Sequence, residues 1–292
     1  MSIRSDPAIK TAVLFTALAL GFACVYAAAV AMARAGMLPF SMEHEGFGRA
    51  SFMGSVVWLV FSNFGPALAA VIAVAIYRGR AGLANLWRSV VQWRVPGSLY
   101  RFAWFGILIN AAVVIAGYAT HSVQFDASAL DPLKFAMLFF VMAIVDGPLG
   151  EEIGWRGVLL PELLRRMSPF GAALIVGVVW YAWHVPLYAT EDKLMGLGEH
   201  AIFLYTCIAL SLIMTWFFLK SRGSTFLMIY LHDATNYSTF LRSKLFPKIA
   251  ASPVPIIVYM VLLLIFALLA AAALARRKAA SPGEQLVERA GY

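Results

Sequence analysis

Apolar residues in this chain neither alternate nor recur on a single helical face. They run in blocks of about 20, the length an α-helix needs to cross a bilayer, separated by short segments that collect the charges. Eight such blocks can be read, approximately Thr11 to Met32, Phe52 to Tyr77, Phe102 to Ala119, Phe135 into the segment Glu151–Arg156, Pro169 to Tyr188, Ala201 to Leu219, Thr225 to Phe240 and Pro255 to Leu274. The pattern predicts an all-α fold, a polytopic membrane helix bundle of about eight transmembrane helices. Residues 1–278 read as one transmembrane domain and 279–292 as a short, disordered cytoplasmic tail. Between the second and third blocks, Leu83, Leu86, Trp87 and Val90 share a helical face, with Arg88, Gln92 and Arg94 largely elsewhere. That stretch predicts an amphipathic helix lying at the membrane surface or packed on the bundle.

Composition agrees: 62% of the 292 residues are hydrophobic and 13% are charged. The net charge of +8 does not point to nucleic acid, because the Lys and Arg residues lie between apolar blocks and form no single stripe. They set orientation instead. Arg78, Arg80, Arg88 and Arg94 fall on the same side as Arg165, Arg166, Lys220, Arg222, Arg276, Arg277 and Lys278, which the positive-inside rule makes cytoplasmic. The opposite loops mix Glu43, Glu45, Asp126, Asp131, Glu191 and Asp192 with Arg242, Lys244 and Lys248. Both termini are then expected in the cytoplasm, and the protein in the cell membrane. Arg4, Lys10 and the Ala31-Met32-Ala33 end of the first block imitate a signal sequence, but the block exceeds the roughly 7 to 15 residues of a signal core and is expected to stay as an uncleaved helix. Cys24 and Cys207 each sit within an apolar block without metal-ligand spacing, so neither a disulfide framework nor a cysteine zinc site is indicated.

Ionisable groups at membrane depth cost a few kcal/mol each unless paired or lining a wet cavity. Here they concentrate in three blocks: Asp146, Glu151, Glu152 and Arg156 in the fourth, His184 in the fifth, and His232, Asp233 and Asn236 in the seventh. Residues 165–169 read as a tight turn, and Glu151 and His184 lie nearly equidistant from it, each roughly 25 Å up its helix. Carboxylate and imidazole are expected to face each other, with His232 and Asn236 sharing one face of a helix that reaches a similar level. Glu152 and Arg156 stand four apart in the favourable order and are expected to pair, leaving Glu151, rotated by about 100°, to point into a cavity. Such a set suits hydrolysis: Glu151 as base, His184 orienting or deprotonating the same water, His232 and Asn236 donating to an oxyanion. The same residues also allow a two-His, one-carboxylate zinc site of Glu151, His184 and His232, although no HExxH motif is present. Plainer readings exist for each group: a helix-stapling ion pair, a core histidine, an interhelical His–Asn pair. Asp146 and Asp233 read as structural or cavity-lining, His200 as interfacial and His44 as a loop histidine.

The segments EEIGWR, WYAWH and HDATN resemble, in order and spacing, the EExxxR, FxxxH and HxxxN motifs of the CPBP family of CAAX proteases and bacteriocin-processing enzymes, also called the Abi family. Glu151, Glu152 and Arg156 take the first motif, Trp180 and His184 the second, His232 and Asn236 the third. Trp180 departs from the usual Phe. The resemblance covers Glu151 to Asn236, and the first three blocks share the family's layout alone. It implies a multi-helix intramembrane endopeptidase with the first glutamate as base, glutamate-dependent and metal-free by the residue types, although early descriptions called the family metalloproteases. Eukaryotic members remove the last three residues of prenylated CAAX proteins, and many bacterial members are linked to bacteriocin maturation or self-immunity. The implied partners are the lipid bilayer and a membrane-associated protein or peptide substrate, and no cofactor is required. Two other functions fit the same polar groups: a proton-coupled transporter, against which stands the lack of repeated halves, and a non-catalytic peptide-binding or immunity protein.

Overall fold

The computed structural model describes residues 6–42, 51–190, 195–247 and 252–276, and within these all regular structure is helical. Chain-entry chemistry explains where four of the long helices begin. Asp6, Asp131, Ser168 and Ser252 each cap a first turn opened by proline, whose missing N–H costs nothing there. These starts give α1 (Pro7–Arg34), α6 (Pro132–Val145), α9 (Pro169–Tyr188) and α12 (Pro253–Ala275). The remainder are α2 (Phe52–Val57), α3 (Gly65–Val90), α4 (Gly97–Phe102), α5 (Phe105–Ala119), α7 (Pro148–Gly154), α8 (Leu160–Leu164), α10 (Leu197–Lys220) and α11 (Thr225–Leu245).

Seven of the predicted blocks appear among the described residues as helical segments long and apolar enough to cross a membrane. The outer surface they present is itself apolar, with Phe52, Leu133, Phe140, Ile115 and Leu269 all largely exposed. This is a multi-pass membrane protein. The block at 225–240 is also a long helix, α11, but it carries too many polar residues to qualify by composition. Its position supplies the reason: α5, α6, α7 and α10 all pack on it, and Leu231, His232, Asp233 and Ala234 are buried in succession.

Two blocks differ from single straight helices. The second is divided. Residues 52–57 run into a wide π-turn segment, Trp58–Asn63, which stops at Phe64 because Pro66 cannot donate to a continuing helix. Helix α3 then starts afresh, and Gly79, at φ 60° and ψ −156°, bends it. The residues after that bend, through Val90, are the predicted amphipathic helix, with Leu86 buried and Trp87 outward. The fourth block is broken at Asp146 and Gly147, resumes as α7, widens to a π segment at Trp155–Leu159 and ends as α8. Asn63 donates to the carbonyl of Ile144 at 2.9 Å, satisfying an acceptor freed by the break.

One end of the bundle collects the expected cationic loops. There Arg78 and Arg165 meet Glu162, Arg166 meets Asp6, and the Gln92 amide donates to the Ser221 carbonyl at 3.0 Å. The expectations for His44, Glu43, Glu45, Glu191, Asp192, Lys248, Arg277, Lys278 and the tail 279–292 lie outside the described residues.

Candidate active site

The break before α7 builds the centre. Gly147 takes φ +97°, open to glycine but strained for other residues, and a Cβ there would stand 2.3 Å from Glu151 Oε1. Gly150 lets the same turn approach the 58–63 segment, since a Cβ on it would meet the Asn63 carbonyl oxygen at 2.1 Å. The turn therefore places Glu151 beside a gap that only this backbone leaves.

The two adjacent glutamates are held by different means. Glu152 is fully buried; Arg156 Nη1 donates to both its oxygens at 2.7 and 3.0 Å, and the Nδ1 of His232 lies 2.8 Å from Oε1. Because a carboxylate only accepts, that imidazole carries its proton on Nδ1 and turns Nε2 away. Glu151 meets no cation directly. Its Oε2 accepts from two indoles, Trp155 Nε1 at 3.3 Å and Trp180 Nε1, so Oε1 keeps its lone pairs. The expected pairing of Glu152 with Arg156 is present, and Glu151 takes different partners, two indoles.

Trp180 stands at the middle of the cluster. Its indole donates to Glu151, the Arg156 guanidinium lies over its ring at 4.9 Å, and the His232 and His184 rings sit 5.2 and 6.0 Å away by centroid. His184 donates from Nδ1 to the Trp180 carbonyl at 2.9 Å, which leaves Nε2 as the free basic nitrogen. Trp183 and Phe203 bracket the same ring at 4.6 and 4.9 Å, edge to face.

Glu151 Oε2 meets the Trp180 indole, and His184, one turn farther along α9, stands within electrostatic reach of Glu151. Asn236 lies one turn beyond His232, half-buried, with its side chain near Asp146 at the helix break. Asp146 is in turn within electrostatic reach of Glu151 and His232, so it belongs to the rim of the site. Asp233 is buried, and both its oxygens lack a hydrogen-bond partner.

Glu151, Glu152, Arg156, His184 and His232 are thus brought together, with Asn236 at the edge. What sequence reasoning missed is the part of Trp155 and Trp180 as hydrogen-bond donors. The available signal was the one departure from the motif: Trp brings an N–H that Phe lacks. For a metal the fit is poor. Among the described residues no three His, Cys, Asp or Glu side chains converge to hold an ion.

A buried acid–imidazole cluster at a broken helix, inside a multi-pass membrane bundle, defines the class. Residues 132–238 match the family described as type II CAAX prenyl endopeptidase Rce1-like. A stretch of 92 residues, 30% of this chain, is 34% identical to the CAAX prenyl protease 2 of Methanococcus maripaludis. That match spans 34% of the relative's length, about a third. The segment 132–238, which contains every residue of the cluster, is what this chain shares with the CAAX prenyl endopeptidases, and the likeness holds for that segment.

Proposed function

We propose that this protein is an intramembrane endopeptidase that hydrolyses a peptide bond in a membrane-associated protein or peptide. The observation that carries the reading is the unequal treatment of two neighbouring carboxylates. Glu152 is neutralised by Arg156 and His232, whereas Glu151 is steadied by two indole N–H groups on one oxygen and left open on the other. A base needs that combination: held in place, desolvated, and with a free lone pair.

In this reading a water is bound between Glu151 Oε1 and His184 Nε2. Glu151 takes its proton as the oxygen attacks the scissile carbonyl, and the C=O π electrons move onto the carbonyl oxygen. His232, as imidazolium supported by Glu152, donates from Nε2 to that oxyanion, and Asn236 offers an amide N–H. Collapse of the tetrahedral intermediate breaks the C–N bond, and the proton held by Glu151 passes to the leaving amine. The scheme needs no metal. The relative's name, a prenyl protease, suggests a lipidated chain end as the substrate class, which suits a site reached from within the bilayer.

The test uses Glu151→Gln in proteoliposomes with a farnesylated, fluorogenic peptide, alongside quantitative mapping of protein termini in membranes from expressing cells. Turnover should fall by at least about 100-fold, the usual share of a positioned base. Activity of the wild type should survive dialysis against EDTA. Wild-type turnover in the Glu151→Gln protein would end the assignment, and termini lost in that strain would name the bond.

A further inference from the structure

The bundle end that carries Lys220 and Arg222 holds two cavities that the hydrolytic reading does not use. The first, about 720 Å³, is lined by Gln92, Trp93, Arg94, Lys220 and Arg222 among others, with three cations and no acid. Its walls are fixed: Gln92 donates to the Ser221 carbonyl at 3.0 Å, and Ser224 Oγ donates back to the Gln92 carbonyl at 2.6 Å. The loop after α3 and the turn between α10 and α11 are therefore tied into one rim. Arg94 lies over the Trp93 ring at 5.1 Å.

The second cavity, about 630 Å³, is apolar and lies between α5, α10 and α12, where Trp104, Leu108, Trp216, Phe266 and Leu269 line it. Arg101 is the one charged residue in its lining. Leu108 and Leu269, each 65% exposed, show that it opens on the outer surface of the bundle. The cavities adjoin along α10, since Trp216 lines the apolar one and Lys220, a turn later, lines the basic one with its ammonium 5.7 Å from the Trp216 ring.

We infer that these cavities form one binding site for an anionic phospholipid, with the phosphate headgroup among Arg94, Lys220 and Arg222 and an acyl chain between α5, α10 and α12. Three cations without a counter-acid complement a phosphate diester, and tryptophans on both cavities mark the level at which headgroups meet hydrocarbon. Each volume falls in the range of about 300 to 1,000 Å³ typical of small-ligand sites. The basic part alone would suit a soluble phosphate; the adjoining lipid-facing groove is what commits the site to a lipid.

Native mass spectrometry of the full chain released from nanodiscs tests this, with dioleoyl phosphatidylglycerol, dioleoyl phosphatidylcholine and inorganic phosphate as separate probes. Phosphatidylglycerol should remain bound at least tenfold more than phosphatidylcholine, and phosphate alone should not bind or compete at millimolar concentration. The triple variant Arg94→Gln, Lys220→Gln, Arg222→Gln should lose that preference. Leu108→Trp, which fills the groove from an exposed position and keeps every cation, should lower retention of both lipids. Equal retention of the two lipids by the wild type, or unchanged preference in the triple variant, would overturn the site. Binding of inorganic phosphate that persists in Leu108→Trp would also overturn it, in favour of a soluble anion.

Discussion

Two clusters of charge hold this bundle, and they solve the same electrostatic problem in opposite surroundings. In the interior, Glu152 and Arg156 are 0% exposed and His232 is 5% exposed. At the bundle end, Glu162 bridges Arg78 and Arg165 while Arg166 meets Asp6, with the arginines 24–50% exposed. The outer arginines can exchange protein partners for water although Glu162 and Asp6 are themselves buried, so each of these pairs contributes less than an interior one. The inner cluster has no such recourse. Arg156 leaves Nε and Nη2 without hydrogen-bond partners and rests its plane on Trp180, so losing one member strands the others. Buried ion pairs rarely repay their desolvation, which makes the inner cluster poor as a mere staple and well suited to orienting His232 beside an open Glu151.

The sharpest way to break the comparison is Arg156→Ala. It leaves a buried Glu152 facing only His232, and should cost about 3–5 kcal/mol of stability together with all activity, read as lost monodispersity and a lowered melting temperature in detergent. A folded, active Arg156→Ala protein would make the two clusters equivalent. Next comes Trp180→Phe, which restores the aromatic usual at that motif position and keeps the ring under Arg156 while deleting one donor to Glu151. Removing a buried hydrogen bond to a charged group costs about 1.5 kcal/mol or more of stability, so the melting temperature should fall by roughly 2–6 °C, and a base that is less well held should lower kcat about tenfold with KM nearly unchanged. An unaltered kcat would reduce Trp180 to packing.

For the outer cluster, Glu162→Gln should lower stability by only about 1 kcal/mol and leave turnover intact. Asp6→Asn should do least, and its effect should depend on pH. Burial raises the Asp6 carboxyl, but the Ala8 N–H and Arg166 outweigh it and hold the group below its ordinary value of 3.8. A depressed carboxyl stabilises the fold above its unfolded value, and the contribution is lost as pH falls through the folded one. The melting difference between wild type and Asp6→Asn should therefore be complete at neutral pH and shrink below about pH 3.8. A constant difference across that range would remove the charge from the explanation.

Helix content was legible because twenty apolar residues in a row have few other stable fates in a membrane protein. Of the eight blocks, the fifth, Pro169–Tyr188, agrees with its helix to the residue, since Ser168 and Pro169 write the start in local chemistry. The second was misread as continuous, because hydropathy is blind to Pro66, whose effect is a backbone effect, whereas Gly147 and Pro148 marked a kink in the fourth. Glu152–Arg156 was visible as an i, i+4 pair.

Sequence by itself determined the membrane setting, the helix count to within the polar α11, and the residue types gathered for chemistry, because each depends on local composition or fixed spacing. Tertiary structure alone decided that His232 serves Glu152 and that two indoles share one oxygen of Glu151. Those pairings depend on rotation and rise across a broken helix and a π turn. A shift of one turn exchanges an imidazole for an indole opposite the same carboxylate, and only packing against neighbouring helices sets that register.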